Sequence, residues 1–158
     1  MRALGAVLAV VLLAGCPGVP WRPEAYDTAV RVDSLDLRFA PNGTGQLTLK
    51  LEVRNPSSHE GLLTGVDFEL SVDGRRLAEG LQQVEVPLGT DGRSQPVEVV
   101  FPLVAQGTAG TASHLSHEVQ VNGGALLRYG PRTVRRATFQ VQRRMELPWL
   151  PPPEPTLE

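Results

Sequence analysis

Apolar and polar residues alternate with a period of two through most of the chain. In the stretch Leu47–Val53 every second residue is Leu or Val and the residues between them are polar, and the pattern recurs at 66–73 and 137–142. Because successive side chains of a strand point to opposite faces, this alternation indicates strands with one face in a core and the other in water. It predicts seven strands, at 29–39, 45–54, 64–73, 76–86, 96–104, 117–128 and 132–145.

The first predicted strand changes parity along its length. Val30 and Val32 share one parity, whereas Leu35 and Leu37 share the other. A shift of one residue reverses the faces of a strand. A β-bulge near Asp33 would return both sets to the core, and we expect one there.

Two other segments depart from simple alternation. The fifth predicted strand carries Val100 and Val104 on the face opposite its main apolar set, which predicts cover on both sides. The segment 108–116 has no alternation and is the only place where a short helix is expected, although its glycines weaken that expectation.

Asn-Gly and Asp-Gly pairs are strong turn signals between strands. Strands at intervals of about 8–12 residues, broken by such turns, predict an all-β sandwich or barrel. The chain has four of these pairs, at Asn42-Gly43, Asp73-Gly74, Asp91-Gly92 and Asn122-Gly123.

The N-terminus has the pattern of a secretory signal. A charged start at Arg2 is followed by an apolar run, 3–14, that is too short to cross a bilayer. The run ends in Leu-Ala-Gly-Cys, which resembles the lipobox of bacterial lipoproteins. The resemblance implies cleavage before Cys16 and attachment of palmitate-type acyl chains there, and two or more chains suffice for stable anchoring. The alternative is an ordinary signal peptide with an incidental cysteine.

Proline marks the ends of the folded region. Eight of the 14 prolines lie in two flanking segments, which favour extended backbone. The expected organisation is a signal peptide at 1–15, a Pro-rich tether at 16–28, a β-sandwich at 29–147 and a Pro-rich tail at 148–158. Within the tail, Trp149 and Leu150 are either loose or docked on the sandwich.

The composition offers little for catalysis. Cys16 is the only cysteine, so no internal disulfide is expected, and the net charge of −2 gives no electrostatic case for nucleic acid. His114 and His117 with Glu118 form a weak candidate metal site whose spacing fits no zinc motif. Nucleophile-elbow and phosphate-loop motifs are absent from the sequence. We therefore expect no enzyme activity, no catalytic residues, no metal and no cofactor.

The stretch 47–104 resembles the type 2 late-embryogenesis-abundant (LEA) proteins with their water-stress and hypersensitive-response (WHy) domain. The resemblance rests on an alternating strand that ends in Asn-Pro, a following Gly-x-Asp-x-Glu-Leu-x-Val-x-Gly strand and an Ala-x-Gly segment. It implies a fibronectin-III/immunoglobulin-like antiparallel β-sandwich of about seven strands, in which the motif residues have structural roles. The later part, 117–147, departs from the family pattern. The motif positions are Asn55, Pro56, Gly65, Gly74 and Gly80.

The resemblance also implies a function. It predicts a non-enzymatic, membrane-anchored lipoprotein that acts in desiccation or stress protection of the cell envelope. Its partners would be the membrane, through lipidated Cys16, and client or envelope proteins. Pro17 rather than Asp follows the cysteine, which favours the outer membrane of a Gram-negative cell. The alternative is an envelope binding module for an apolar ligand or a protein partner.

Overall fold

Seven strands form the molecule in the computed structural model, which describes residues 18–104 and 113–151. A short 3-10 turn, Pro23–Tyr26, precedes the first strand. Within the described residues, no helix is long and apolar enough to span a bilayer. The strands are β1 (Val30–Phe39), β2 (Thr44–Arg54), β3 (Gly61–Val72), β4 (Arg75–Leu88), β5 (Ser94–Val104), β6 (Ser116–Tyr129) and β7 (Thr133–Glu146).

The strands pair into two antiparallel sheets. One sheet has three strands in the order β1-β2-β5, and the other has four in the order β4-β3-β6-β7. The chain passes between the sheets after β2, after β4 and after β5. This arrangement confirms the predicted seven-stranded, fibronectin-III-like antiparallel sandwich.

Most sequence-based details of the strands are confirmed. The β1–β2 register shifts between Val32 and Ser34, where the bulge was expected. Three of the four Gly-containing pairs lie in turns, and Gly43, Gly74 and Gly92 all have positive φ. For the predicted short helix, residues 108–112 lie outside the described residues, and 113–115 are not helical.

The core consists of the inner faces of both sheets. The rings of Phe68 in β3 and Phe101 in β5 lie 4.3 Å apart, centroid to centroid, and so join the two sheets across the middle. The prediction that β5 is covered on both faces was wrong, since Val100 is 40% exposed and Val104 is 90% exposed. Because the described strands form only two layers, no described element packs on the outer face of β5.

Three of the four phenylalanines lie directly opposite a glycine on the neighbouring strand. The pairs are Phe39 with Gly45, Phe68 with Gly80, and Phe139 with Gly123. In each pair a β-carbon added to the glycine would lie within 2.8 Å of the ring. The ring occupies the space that a side chain would fill, and so compensates for the weak packing of glycine in a strand.

The fourth Gly-containing pair, Asn122-Gly123, was wrongly predicted to be a turn. Both residues lie in the middle of β6, where Gly123 pairs with Phe68 on one side and Phe139 on the other. A β-carbon at Gly123 would meet the Asp67 carbonyl oxygen at 2.3 Å as well as the Phe139 ring. Close packing, not chain reversal, therefore accounts for this glycine.

Both flanking segments pack on the sandwich where they are described. In the predicted tether, Tyr26 is buried and Val19 is partly buried against the core. After β7, Leu147 is buried, and Trp149 and Leu150 pack partly against the core. These contacts extend the folded unit beyond the predicted sandwich limits of 29–147.

The Phe139–Gly123 contact gives a test of this packing. We expect Gly123→Ala to lower the free energy of unfolding by about 1–3 kcal/mol, because the added methyl group overpacks the core. Gly89→Ala is the matched control, since the nearest atom to its added β-carbon is 3.8 Å away, at Asp91 Oδ1. Urea denaturation of both variants is the measurement. Equal stability of the two variants would contradict the steric account.

Candidate functional site

The glycines of the family pattern lie at separate positions in β3, in the β3–β4 turn and in β4, and each meets a local steric demand. Gly65 stands at a register shift of β3, where a β-carbon would lie 3.2 Å from Leu81 Cδ1. Gly74 has φ +76 in the tight β3–β4 turn, a conformation that glycine adopts without strain. Gly80 lies under an aromatic ring, as described above. The fold does not gather them into one site, and Cys16 lies outside the described residues.

Asn55 is the buried polar centre at the end of β2, with only 5% of the residue exposed. Its Nδ2 donates hydrogen bonds to the carbonyl oxygens of His59 (2.7 Å) and Gly89 (3.0 Å). Its Oδ1 accepts from the Ser57 amide (2.9 Å) and from the Tyr129 hydroxyl (2.9 Å). Both donors and both acceptor positions of the amide are therefore used. We call this set the Asn55 network, and the end of the sandwich that holds it the Asn55 pole.

The loop after Asn55 holds the N-terminal segment. Pro56 lies just after the end of β2, and the Ser57 hydroxyl and Ser58 amide donate to the Gly18 carbonyl oxygen at 2.9 and 3.2 Å. Gly18 has φ +98, and a β-carbon there would lie 2.2 Å from Ser58 Oγ. Only glycine therefore fits where the segment meets the loop.

A second contact holds the N-terminal segment against β7. The Pro20 carbonyl oxygen accepts from the Tyr26 hydroxyl at 2.7 Å and from Arg135 Nε at 3.3 Å. Burial raises the pKa of Tyr26 above its usual range, and burial together with the Tyr26 phenol raises that of Tyr129 further. Both phenols stay protonated at neutral pH, so they serve as hydrogen-bond donors.

The opposite end of the sandwich separates the residues of the candidate metal site. His117 Nδ1 lies 2.7 Å from Asp73 Oδ2, whereas His114 Nδ1 lies 3.6 Å from Glu146 Oε2. The Glu118 backbone amide donates to Asp73 Oδ1 at 2.9 Å. In the part of the chain that the structure describes, no group of three or more His, Cys, Asp or Glu side chains is placed to hold a metal.

A shallow cleft of about 820 Å³ lies on the outer face of the four-stranded sheet. At its rim, Arg136 crosses β6 to bind the Asp67 carboxylate through two bonds of 2.9 and 2.6 Å. Gly124 makes this possible, because a β-carbon there would lie 2.4 Å from Arg136 Nε. The ion pair raises the pKa of Arg136, so the guanidinium is already neutralised by a protein carboxylate. Leu81, 55% exposed, forms the apolar part of the cleft wall.

Sequence reasoning found Asn55 but missed its partners. Tyr129 is 74 residues away in sequence and Gly18 is 39 residues from Ser57, so no local pattern links them. The available signal was Tyr129 itself, a lone aromatic on the apolar parity at the end of β6. Such a residue usually has its hydroxyl paired when the ring is buried.

The Asn55 network predicts a large effect of a small substitution. Asn55→Ala would leave the Tyr129 hydroxyl and three backbone groups without their partner, and we expect the free energy of unfolding to fall by about 2–3 kcal/mol. Asn42→Ala is the control, because the Asn42 side chain bonds only exposed Thr44. Chemical denaturation measures both. A loss no larger than that of the control would refute the role assigned to Asn55.

The Asp73–His117 contact predicts a dependence of stability on pH. Hydrogen bonds from His117 and from the Glu118 amide lower the pKa of Asp73 below its ordinary 3.8. A depressed carboxyl pKa stabilises the fold above the unfolded pKa, and this contribution is lost as the pH falls through the folded pKa. Wild type should therefore lose stability below about pH 4 more steeply than Asp73→Asn, which retains a turn-compatible side chain. Thermal melts from pH 6 down to about pH 2.5 test this, and parallel curves would contradict it.

Similarity to known proteins is confined to the fold. No protein-family model matches the sequence, and no curated protein matches it. The solution structure of AT1g01470 from Arabidopsis thaliana is similar, with a TM-score of 0.56, 14% identity, and coverage of 88% of this chain and 91% of that chain. The solution structure of At2g46140.1, a candidate late embryogenesis abundant protein, has a TM-score of 0.54 at 17% identity over 77% of this chain and 71% of that chain.

A protein from Archaeoglobus fulgidus shares the same architecture. Its crystal structure has a TM-score of 0.52 at 12% identity and covers 76% of this chain and 100% of that chain. The chain thus has a LEA-like β-sandwich fold.

Proposed function

We propose that the protein is a lipid-anchored lipoprotein of the cell envelope whose LEA type 2 domain protects envelope components during desiccation or related stress. The observation that carries the proposal is a LEA-like sandwich whose packed N-terminal segment follows a lipobox-like cysteine after one residue, Pro17. Cys16 receives the acyl chains, and the sandwich acts at the membrane surface to which they bind. The outer membrane is the proposed location, because Pro17 follows the cysteine.

A protective role without catalysis agrees with the chemistry of the described residues. The polar side chains of the Asn55 network are held in hydrogen bonds with one another or with backbone. The two buried phenols, Tyr26 and Tyr129, have raised pKa values, so they stay protonated at neutral pH and cannot accept a proton there. His117 and Arg136 each pair with one carboxylate. Polar groups that are paired within the protein stabilise a rigid fold. The protein would then contact client proteins or the membrane through its outer surface.

The second candidate function is an envelope binding module, and the outer cleft favours it. This cleft has the volume of a small-ligand site, and Leu81 gives it an apolar wall. A ligand retained there would be lost from a Leu81→Arg variant, as mass spectrometry of lipid and small-molecule extracts would show. Under the protective role, the same substitution leaves survival of drying unchanged.

The anchor predicts a defined phenotype for Cys16→Ala. In the native host, wild type should incorporate labelled palmitate and fractionate with membranes, whereas the variant should do neither. A strain that lacks the protein should survive drying and rehydration poorly and recover only with the wild-type chain, because protection is needed at the membrane surface.

Export of the sandwich behind an ordinary signal peptide, without Cys16, provides the control. It separates the need for the anchor from the need for the domain. Unlabelled, soluble wild type would overturn the anchoring. If the wild-type protein is labelled but the strain that lacks it survives drying equally well, the protective role would be overturned.

A further inference from the structure

Trp21 is the one described aromatic side chain that faces solvent, with 73% of the residue exposed, whereas Trp149 packs partly against the core. The guanidinium carbon of Arg22 lies 5.3 Å from the centroid of the Trp21 ring. An exposed indole beside an arginine suits a membrane–water interface, where the ring reaches apolar carbon and the cation stays among headgroups.

The hydrogen bonds of the Asn55 pole fix the position of Trp21. The preceding residue, Pro20, accepts hydrogen bonds from Tyr26 and Arg135 through its carbonyl oxygen. Three residues before Trp21, Gly18 is held by the Ser57 hydroxyl. The indole therefore projects from a fastened segment, and its direction is set by the sandwich.

The same fastening brings the sandwich close to the lipid anchor. Only Pro17 lies between Cys16 and Gly18, so the chain advances by two residues, each of which covers at most about 3.6 Å when extended. The acylated cysteine is thus within about 7 Å of a backbone atom that is bonded to the Ser57 loop. A sandwich that is held so closely cannot stand clear of the headgroups.

The β6–β7 end of the Asn55 pole, which meets the residue before Trp21 through Arg135, carries charge that suits an anionic surface. Residues 128–135, which include the β6–β7 turn and the adjoining strand ends, contain three arginines and no carboxylate, and Arg128 and Arg132 are exposed. Val134, 49% exposed, lies beside them in register with Arg128. Arginines near a bilayer that contains anionic lipid each add to the attraction. We call Trp21, Arg22, Arg128, Arg132 and Val134 the Trp21 face.

We propose that the Trp21 face lies against the anionic headgroups of the bilayer that holds the acyl chains of Cys16. The sandwich then stands with its Asn55 pole on the membrane and its β3–β4 turn away from it. This inference rests on the proposed lipidation. It assigns contact with clients to the far pole and the outer faces of the sheets.

Two single-tryptophan proteins test the orientation. Mature protein purified from host membranes is reconstituted in vesicles of phosphatidylglycerol and dibrominated phosphatidylcholine, whose bromine quenches nearby indoles. In the Trp149→Phe variant, Trp21 should emit at shorter wavelength and lose roughly half of its intensity, as an interfacial indole does. In the Trp21→Phe variant, Trp149 should be little quenched, because the 14-residue β7 places it roughly 45 Å along the strand from the Trp21 face.

Further variants isolate the electrostatic contribution and guard against misfolding. An Arg128→Gln, Arg132→Gln double variant, or vesicles without phosphatidylglycerol, should weaken quenching of Trp21 severalfold. If Trp149→Phe does not fold, the difference between wild type and Trp21→Phe reports on Trp21 alone. Equal quenching of the two tryptophans would overturn the proposal. So would the absence of quenching of either tryptophan in protein that remains bound to the vesicles. A concentration-dependent shift of Trp21 emission without vesicles would overturn it in favour of self-association.

Chemical coupling separates this inference from the proposed lipidation. A chain that begins at Cys16 contains every described strand and one thiol, which can be joined to a maleimide-bearing lipid in the same vesicles. If the host protein carries no acyl chain, the proposed function fails. The coupled chain still tests the Trp21 face, and unquenched Trp21 in that chain would refute the face on its own.

Discussion

The buried amide of Asn55 is the constraint on which the arrangement of one whole pole depends. A buried amide that lacks partners costs a large share of the marginal stability of a domain of this size. Its four hydrogen bonds require the β2–β3 loop, the β4–β5 loop and the end of β6 to meet at one point. The loop so placed then binds Gly18, and with it the N-terminal segment. The direction in which the chain leaves the sandwich is therefore a consequence of one side chain.

Steric fit between aromatic rings and glycines governs the interior in a similar way. A sandwich with four phenylalanines has few large rings with which to fill its core. Three of those rings lie over a glycine of the neighbouring strand, and Phe68 also meets Phe101 across the sheets. Ring and glycine together occupy the volume of two ordinary side chains, so each pair fixes register as well as packing.

The two ends of the molecule differ in chemistry, which bears on how a protective lipoprotein would work. The Asn55 pole combines hydrogen-bonded polar groups with Trp21 and an arginine-rich turn. The other pole carries Asp73 paired with His117, and its β3–β4 turn has no exposed aromatic ring comparable to Trp21. If the first pole rests on the bilayer, the second and the sheet faces remain open to proteins that lose water. This division of surface is what a membrane-bound shield requires.

The sequence alone determined the strands, because the period of two and the Asx-Gly turns are local properties of the backbone and of burial. It also located the β1 bulge, since a bulge is the simplest way to keep apolar residues of both parities of one strand in the core. Asn55 was recognisable as a strand-ending residue that turns the chain. The lipobox is likewise a local pattern, and its use remains a prediction.

Only the tertiary structure decided which distant groups meet. Asn122-Gly123 has the sequence of a turn, but the Phe139 ring and the Asp67 carbonyl oxygen occupy the space above Gly123, which pairs with Phe68 within the sheet. The second face of β5 carries Val100 and Val104 yet is exposed, because one strand's own residues do not encode how many layers cover its sheet. The docking of Gly18 on the Ser57 loop joins positions 39 residues apart. Such contacts arise from the packing of two sheets, and alternation along a single strand carries no information about them.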